Sequence, residues 1–453
     1  MLTLARLRKV CEKAPTPTSI EDAVETLQGL SPWWLHPDAL GAARAGGDPA
    51  IARVVGQTRP AIPEGVGACW LVCRAGVKLP LLRSAMILPL RWTAGVPHSP
   101  HLPQSVHRLA DRIVAQVRGI AVLDPLFGAG WGLQPDPRLA LDRTPLADDL
   151  FETVESGWAS LTGGLIAAVQ RLDLDPGVWA SVAWDERSGP AEVAGLEEKL
   201  AVAVEFGARM FAVAIRQRAA AEDWVAANVP GRITILPVPS TIPVDPWAVL
   251  REYLSKFTRE PQVPASVEDN DGFQCCRQYY LNLPAFSGHD SRFYRSHLQP
   301  FIAGRCRVAI RDRHPAFAAT HFVTVVSKSP ELAVMLAHAT AATNCLLLHT
   351  PEGKLAESAE HCRRLLEGRA AGIPTPFSTG AEMGEDIRRA VERFTHGVPP
   401  DRVVLDLKSA TSKMKYWVAR AARPGNWLFN LETTFLDDRR NDPGTERPEL
   451  WQA

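Results

Sequence analysis

The sequence has 453 residues, 46% hydrophobic and 22% charged, and this length predicts two or three domains with substantial apolar cores. Fifty basic and fifty acidic side chains cancel, which argues against general electrostatic binding to nucleic acid or to an anionic membrane. No uninterrupted apolar run reaches membrane-spanning length. The eight cysteines form no CxxC pair and no signal peptide is evident, so we expect a cytoplasmic protein with reduced thiols.

Four regions follow one another along the chain. Residues 1–60 predict a helical, locally charged segment, and residues 61–258 mix short strands and helices with frequent proline and glycine. Residues 259–320 begin as a charged, proline-containing stretch and continue as an aromatic- and arginine-rich one, which we treat as a linker or connecting segment. Residues 321–453 predict regularly alternating strands and helices.

A lysine occupies an unusual position in the stretch 193–215, VAGLEEKLAVAVEFGARMFAVAI, which predicts an amphipathic helix. Lys199 falls inside the apolar arc that contains Leu196 and Leu200. Burying an ammonium group is costly, and a lysine can avoid the cost by losing its proton. A neutral lysine can act as a general base towards a hydroxyl group. The plainer alternative is a lysine that reaches solvent or pairs with a carboxylate.

The segment 193–248 resembles the later half of the Lon protease proteolytic domain. There a Gly–Gly–Leu–Lys–Glu–Lys run opens a helix, and a strand and an Ile-x-Pro-Val strand follow. Here AGLEEKLAVAVEFGARMFAVAI, followed by GRITILPVPSTIPVDPWAVLREYL, keeps that order and apolar pattern, although Ala194 replaces the first glycine. Lys199 occupies the position of the family's catalytic lysine. The resemblance implies a Lon-protease-like domain over 61–258 and a serine endopeptidase with a Ser–Lys dyad.

The resemblance also places a nucleophile upstream, at a helix start within VESGWASLTGGLIAAVQRL (154–172). Ser160, 39 residues before Lys199, is the first candidate, and Thr162, in a Thr-Gly-Gly run, is the second. Ser156 is a third, weaker candidate. Neutral Lys199 would take the hydroxyl proton during attack on a peptide carbonyl and return it to the leaving amine. Backbone N–H groups at a helix start suit oxyanion stabilisation, whereas a simple helix cap is the alternative role.

Two histidines raise the question of a metal site. His98 and His101 form an HxxH pair in the proline-rich loop VPHSPHLP. No third ligand stands nearby in the sequence, and the dyad chemistry requires neither a metal nor another cofactor. We therefore predict no metal site.

From His321 the pattern predicts a Rossmann-like parallel sheet. The expected strands are HFVTVV, NCLLLHT, RVVLDL and NWLFNLE, and the expected helices are 329–342, 354–368, 381–396 and 410–422. In such sheets, ligands bind beyond the carboxyl ends of the strands, where helix N-termini present N–H groups to anions.

Two polar turns at strand ends predict a phosphate-binding cradle, although a helix cap with solvated lysines is the alternative explanation for each. The first turn contains Ser327, Lys328 and Ser329. The second follows Asp406 and contains Lys408, Ser409, Thr411, Ser412 and Lys413.

The run DLKSATSKM in the second turn resembles the later motif of the CARF family, the CRISPR-associated Rossmann-fold sensors of cyclic oligoadenylates, and the resemblance covers about 321–435. The matching residues are Asp406, Thr411 and Met414. The departures are Lys408, Ser409 and Ala410 in place of threonine–glycine–glycine, and Ser412 in place of a lysine that follows as Lys413. The resemblance implies a cyclic-oligoadenylate sensor, and the departures weaken any expectation of ring cleavage.

Together the patterns predict a multidomain chain of the α/β and α+β classes, with a Lon-protease-like N-terminal domain and a Rossmann-like CARF C-terminal domain. This fusion resembles an effector of type III CRISPR antiviral defence, in which cyclic oligoadenylate is the allosteric activator of proteolysis. The resemblance implies a specific protein substrate and a homodimer or ligand-induced oligomer, because CARF domains share one symmetric ligand across a two-fold axis. It implies no direct contact with nucleic acid or a membrane.

Three other functions stay open at this point. The Lon-like region would be a catalytically inactive scaffold if the loosened SGWASLTGG turn has lost its nucleophile, and the chain would then be a nucleotide-sensing regulator or adaptor. A housekeeping protease with an ordinary nucleotide-binding domain is less favoured, because the sequence has no GxGxxG or P-loop motif. A DNA-binding regulator is disfavoured by the lack of a helix-turn-helix signature and of net basic charge.

Overall fold

A computed structural model describes residue 5 and residues 31–36, 61–76, 82–128, 130–139, 145–240, 244–327, 330–409 and 411–453. The chain divides into two compact units, Met1–Pro261 (unit 1) and Gln262–Ala453 (unit 2). Most of the expected helical segment 1–60 lies outside the described residues. None of the described helices combines the length and apolar character needed to cross a lipid bilayer.

Unit 1 is a mixture of antiparallel and parallel strands. Its described strands, in chain order, are β1 (Ala68–Arg74), β2 (Ala85–Ala94), β3 (Trp131–Pro135), β4 (Val178–Ser181), β5 (Ala183–Asp185), β6 (Gly189–Ala191), β7 (Met210–Ala214) and β8 (Thr234–Val238). The strands β1, β2 and β3 form an antiparallel sheet in that order, and β5 pairs with β6 as a hairpin. The strands β4, β7 and β8 form a parallel sheet.

A buried helix organises the core of unit 1. The described helices are α1 (Ser31–Trp34), α2 (Gln104–Arg118), α3 (Asp124–Phe127), α4 (Trp158–Val169), α5 (Leu196–Glu205), α6 (Arg218–Asn228) and α7 (Pro246–Phe257). Every residue of α4 except Ser160 is buried, because small and apolar side chains surround the whole helix. Two glycines let α4 lie close to β1: a Cβ at Gly164 would stand 2.8 Å from Cys69 Cβ, and one at Gly157 would overlap Leu71.

Unit 2 contains a six-stranded sheet with helices on both faces. Its described helices are α8 (Asn270–Asn282), α9 (His289–Phe293), α10 (Gln299–Arg313), α11 (Pro330–Thr340), α12 (Gly353–Leu366), α13 (Met383–Phe394) and α14 (Ser412–Arg420), with a π-helical turn at Tyr294–Leu298. Its described strands are β9 (His321–Val325), β10 (Asn344–His349), β11 (Ala371–Pro376), β12 (Val403–Asp406), β13 (Trp427–Glu432) and β14 (Arg447–Gln452).

The sheet order in unit 2 is β11-β10-β9-β12-β13-β14, and all pairs are parallel except β13 with β14. Apolar side chains from alternate positions of β9, β10 and β12 pack against α13 and α14 in one core. The helices α11 and α12 pack on one another and on β9 and β10. The expected alternation of strands and helices around a parallel sheet is therefore confirmed. Residues 262–320, treated from sequence as a connection, belong to unit 2 and form α8, α9 and α10.

A half-buried glutamate, Glu446, lies just before β14. Oε2 of Glu446 accepts a hydrogen bond from the Gly444 N–H at 2.6 Å. Its Oε1 is buried and has no hydrogen-bond partner among the described residues. Burial raises the pKa of Glu446 to about 7, because the charged form is poorly solvated there. Glu446 is therefore expected to be protonated in the folded protein at a pH where it is ionised in the unfolded chain.

This pKa difference predicts a pH-dependent stability. Because the folded-state pKa lies above that of the unfolded chain, folding keeps a proton that the unfolded chain releases, and stability falls between about pH 4.5 and pH 7. At pH 8 we expect Glu446→Gln to raise the free energy of unfolding by up to about 3 kcal/mol, with little change at pH 4. Urea unfolding at several pH values measures this. Glu449→Gln, which changes an exposed carboxyl on β14, is the control. An unaltered pH dependence in Glu446→Gln would contradict the prediction.

Candidate functional site

Lys199 lies in the first turn of α5, which begins after Gly195 in the left-handed conformation (φ 63°). Its relative exposure is 1%, so the burial predicted from the helical pattern is confirmed. Burial lowers the pKa of Lys199, against smaller opposing effects of Cys73, Glu152 and Glu198. A larger fraction of this amine is therefore neutral at a given pH than for a lysine in solvent.

The carboxylates near Lys199 are shared with Arg74, so they compensate the positive charge of Lys199 only in part. The carboxylates of Glu152 and Glu198 lie near Lys199, but they also lie 3.2 Å and 3.9 Å from the guanidinium of Arg74. A carboxylate that already balances an arginine has less effect on a second cation. This arrangement is consistent with burial as the largest effect on the Lys199 amine.

Cys73, at the end of β1, is a neighbour of Lys199 that the sequence did not reveal. The two groups interact electrostatically, although they are distant in the chain. Burial nevertheless raises the pKa of the Cys73 thiol to about 12. Because the thiolate is the reactive form of cysteine, Cys73 is a neutral packing partner and a poor nucleophile. Only the packing of β1 against α5 shows that Cys73 is a neighbour of Lys199, and the sequence pattern does not reveal that packing.

The three candidate hydroxyl groups are placed differently. The Ser160 hydroxyl donates to the carbonyl oxygens of Trp70 (3.0 Å) and Gly157 (3.1 Å). Thr162 is fully buried, and its Oγ1 has no hydrogen-bond partner within the described part of the chain. The Ser156 hydroxyl, 2% exposed as a residue, donates to the Val72 carbonyl oxygen at 3.4 Å. All three hydroxyl groups therefore lie on or near α4.

Their positions along β1 distinguish the serines. Ser156 bonds to Val72, which immediately precedes Cys73 and therefore lies near Lys199. Ser160 bonds to Trp70, two residues earlier, and this corresponds to about 7 Å along an extended strand. Ser156 also belongs to the 3₁₀ turn (Glu155–Gly157) that leads into α4. Of the two serines, Ser156 therefore bonds to β1 nearer to Cys73, the neighbour of Lys199, although it is the weakest of the three candidates from sequence.

The backbone N–H groups at the start of α4 already have acceptors. The N–H of Gly157 donates to Val154 O at 2.9 Å, and the N–H of Ala159 donates to Val182 O at 3.3 Å. The N–H of Trp158 donates to Glu155 O. An oxyanion at this helix start would therefore have to displace an existing bond or use another donor.

The second candidate site lies at the carboxyl edge of the sheet in unit 2. The strands β9 and β12 are neighbours, and the chain order reverses between them, which is where ligands bind in open parallel sheets. The side chain of Thr324 in β9 donates to Asp406 Oδ2 at 2.7 Å, and the Lys408 N–H donates to Oδ1 at 2.7 Å. Asp406 is fully buried, and burial raises its pKa. Asp406 thus fixes the turn rather than facing a ligand.

The turn after Asp406 presents polar groups to solvent. Thr411, Ser412 and Lys413 are exposed, and Lys408 and Ser409 are half-buried. The Thr411 hydroxyl also caps α14 by accepting from the Met414 N–H at 3.5 Å, as the plainer reading of the sequence allows. Burial lowers the pKa of Lys408, and the cation of Lys415 lowers it further. Ser327 follows β9 at the same edge, whereas Lys328 and Ser329 lie outside the described residues.

For His98, the first histidine of the HxxH pair, hydrogen bonds within the protein explain its position. Nε2 of His98 lies 3.2 Å from Asp111 Oδ1, and its Nδ1 accepts from the Leu133 N–H at 2.8 Å. Both ring nitrogens therefore have protein partners. Among the described residues, no group of three or more His, Cys, Asp or Glu side chains is arranged to hold a metal ion.

Comparison with known proteins gives no assignment for either site. No protein-family model matches the chain, and no curated protein matches it.

Proposed function

We propose that this protein is a cyclic-oligoadenylate-activated serine endopeptidase of the Lon type and an effector of type III CRISPR antiviral defence. The observation that carries the proposal is the burial of Lys199, whose lowered pKa provides a general base beside β1, the strand that the serine-bearing start of α4 also contacts. A lysine with only a packing role has no need of such a costly position.

In the proposed mechanism, Ser156 is the nucleophile. The neutral Lys199 amine takes the proton of the Ser156 hydroxyl as its oxygen attacks the peptide carbonyl, and an acyl-enzyme forms when the protonated lysine returns the proton to the leaving amine. Water then attacks the ester carbonyl while Lys199 takes a proton from it, and the protonated lysine gives that proton to the Ser156 oxygen as the carboxylic acid product leaves. Neither step requires a metal or a cofactor. The Cys73 thiol stays neutral throughout.

The proposed activator site is the edge formed by the turns after β9 and β12. Phosphates of a cyclic oligoadenylate would lie against the cations of Lys408 and Lys413 and against the N-terminus of α14, with the hydroxyl of Ser412 as a further donor. A symmetric ring fits a two-fold pair of such edges, so we propose a homodimer or a ligand-induced oligomer. Activation then requires that the ring binds the active arrangement more tightly than the inactive one.

A catalytically inactive sensor is the second candidate function. The bonds from the Ser160 hydroxyl to two backbone carbonyls and from the Ser156 hydroxyl to a third favour it, since hydroxyls used in this way are structural groups. In that case, the nucleotide site would act through a partner protein, and no cleavage product would depend on Lys199.

Isothermal titration of the purified protein with cyclic tetraadenylate and cyclic hexaadenylate tests the sensor. We expect one ring to bind, and Lys408→Ala and Lys413→Ala each to weaken it at least about tenfold, because a charge-assisted contact is lost. Lys256→Ala, which removes a cation from α7 of unit 1, is the matched control. Binding of neither ring would overturn the sensor assignment.

The protease half is tested by N-terminal profiling of a cell lysate incubated with the protein and the bound ring. New N-termini are expected only when the ring is present and Lys199 is intact. Products that persist with Lys199→Met, or their complete absence despite tight ring binding, would favour the inactive sensor.

A further inference from the structure

An exposed aromatic ring lies beside the proposed activator site. Phe435 follows β13 by three residues, and 61% of it is exposed to solvent. The Lys408 ammonium lies 5.8 Å from the centre of this ring. Phe435 therefore belongs to the same strand edge as the turn after β12, since β12 and β13 are paired neighbours. The local sequence pattern does not distinguish Phe435 from its neighbours.

The backbone around Phe435 is held in a fixed conformation. Phe435 forms a bridge with Asn441, and the loop between them is closed by a bond from the Leu436 N–H to Arg440 O at 2.8 Å. The Asp442 N–H donates to Thr434 O at 3.0 Å. Such a loop loses little further conformational freedom when a ligand binds to it.

Arg440 anchors the same loop to the body of unit 2. Its side chain is 4% exposed and donates from Nη1 to Tyr280 O at 3.0 Å and from Nε to Asp438 Oδ2 at 3.0 Å. Its guanidinium also lies over the Tyr280 ring, 4.7 Å from the centre. The loop thus keeps a large apolar ring in solvent although it is rigidly packed at its base. An apolar ring exposed to water lacks the favourable free energy of burial, which a ligand covering the ring would supply.

We propose that Phe435 is a stacking platform for an adenine base of the activator, with Lys408 holding the adjacent phosphate. The inference rests on the proposed function and names a residue that sets ligand affinity within that site. A purine presents an aromatic face to the phenyl ring, and stacking on an exposed aromatic side chain contributes substantially to the binding of single-stranded nucleotides. The lysine beside the ring supplies the charge that the same nucleotide's phosphate requires.

The test measures the affinity for cyclic tetraadenylate and cyclic hexaadenylate by calorimetry in the unchanged protein and in four variants. Phe435→Ala is expected to weaken binding about tenfold or more, and Phe435→Leu nearly as much, because leucine has apolar bulk but no aromatic face. Phe435→Trp is expected to retain or improve binding. Phe286→Ala, at another exposed phenylalanine of unit 2 (74% exposed), is expected to bind like the unchanged protein.

The outcomes separate this inference from the function on which it rests. If the unchanged protein binds neither ring, both are overturned. If it binds a ring and Phe435→Ala and Phe435→Leu bind equally well, only the stacking platform is overturned. Adenosine monophosphate is the comparison ligand: binding as tight as that of the ring, with the same dependence on Phe435, supports stacking but assigns the site to a free nucleotide. A changed sedimentation coefficient of Phe435→Ala without ligand would overturn stacking in favour of contact between copies.

Discussion

Replacing Lys199 with methionine is expected to lower peptide-bond cleavage by about 10²–10⁴-fold, which is the usual contribution of a general base. The same change is expected to raise the free energy of unfolding at neutral pH by about 1–3 kcal/mol, because it removes an amine that is costly to bury. Loss of activity together with a gain in stability is the signature of a functional residue that is costly for folding. Initial rates on labelled casein with the activating ring, and urea unfolding curves, measure the two effects.

The sign of the pH dependence follows from the lowered pKa of Lys199. Folding disfavours the charged amine, so the contribution to stability is complete only above the unfolded-state pKa and is lost as the pH falls towards the folded-state pKa. Cleavage should rise with pH over the range in which the folded amine loses its proton. Lys199→Arg is the matched control, since arginine keeps the charge and cannot serve as a base. A Lys199→Arg protein that cleaves as fast as the unchanged one would contradict the mechanism.

The second large effect concerns the nucleophile. Ser156→Ala is expected to abolish ring-dependent cleavage, with a loss of about 10³-fold or more, because the attacking oxygen is removed. Ser160→Ala should retain most of the activity and lose some stability, since it removes the hydrogen bonding of this hydroxyl to the Trp70 and Gly157 carbonyl oxygens. Thr162→Val should retain activity and be neutral or stabilising, because its buried hydroxyl has no partner among the described residues.

Rates on labelled casein and thermal unfolding of the three variants measure these differences. A covalent adduct with a serine-directed reagent, mapped by mass spectrometry, identifies the reacting oxygen independently of rates. Adduct formation on Ser160, together with full activity of Ser156→Ala, would return the nucleophile to the position that the sequence favoured.

The C-terminal sheet was largely predictable because each of its central strands has an unbroken apolar run. The expected strands HFVTVV and RVVLDL correspond to β9 and β12. The edge strand β11 was missed, since its sequence AGIPTP contains two prolines and resembles a turn, and β14 was missed because RPELWQ mixes charged and apolar residues. Edge strands bury less of their surface, and the apolar pattern that identifies central strands is weaker in them.

The candidate dyad was predictable only in part. The helical pattern around Lys199 revealed its burial, because that property depends on residues of one helix. The choice between Ser156 and Ser160 depends instead on how α4 lies along β1. That register is set by close approach at Gly157 and Gly164, which is a property of two elements distant in the chain. A single sequence contains no direct signal for such a long-range register.

The two prolines of β11 have a consequence for how copies of this protein behave when crowded together. Pro374 and Pro376 stand at alternate positions, so their missing N–H groups lie on one side of the strand. The opposite side pairs with β10, and the outward side therefore offers few donors to a foreign strand. The β11 edge of the sheet is therefore a poor template for pairing with a strand of another copy, which disfavours aggregation through this edge.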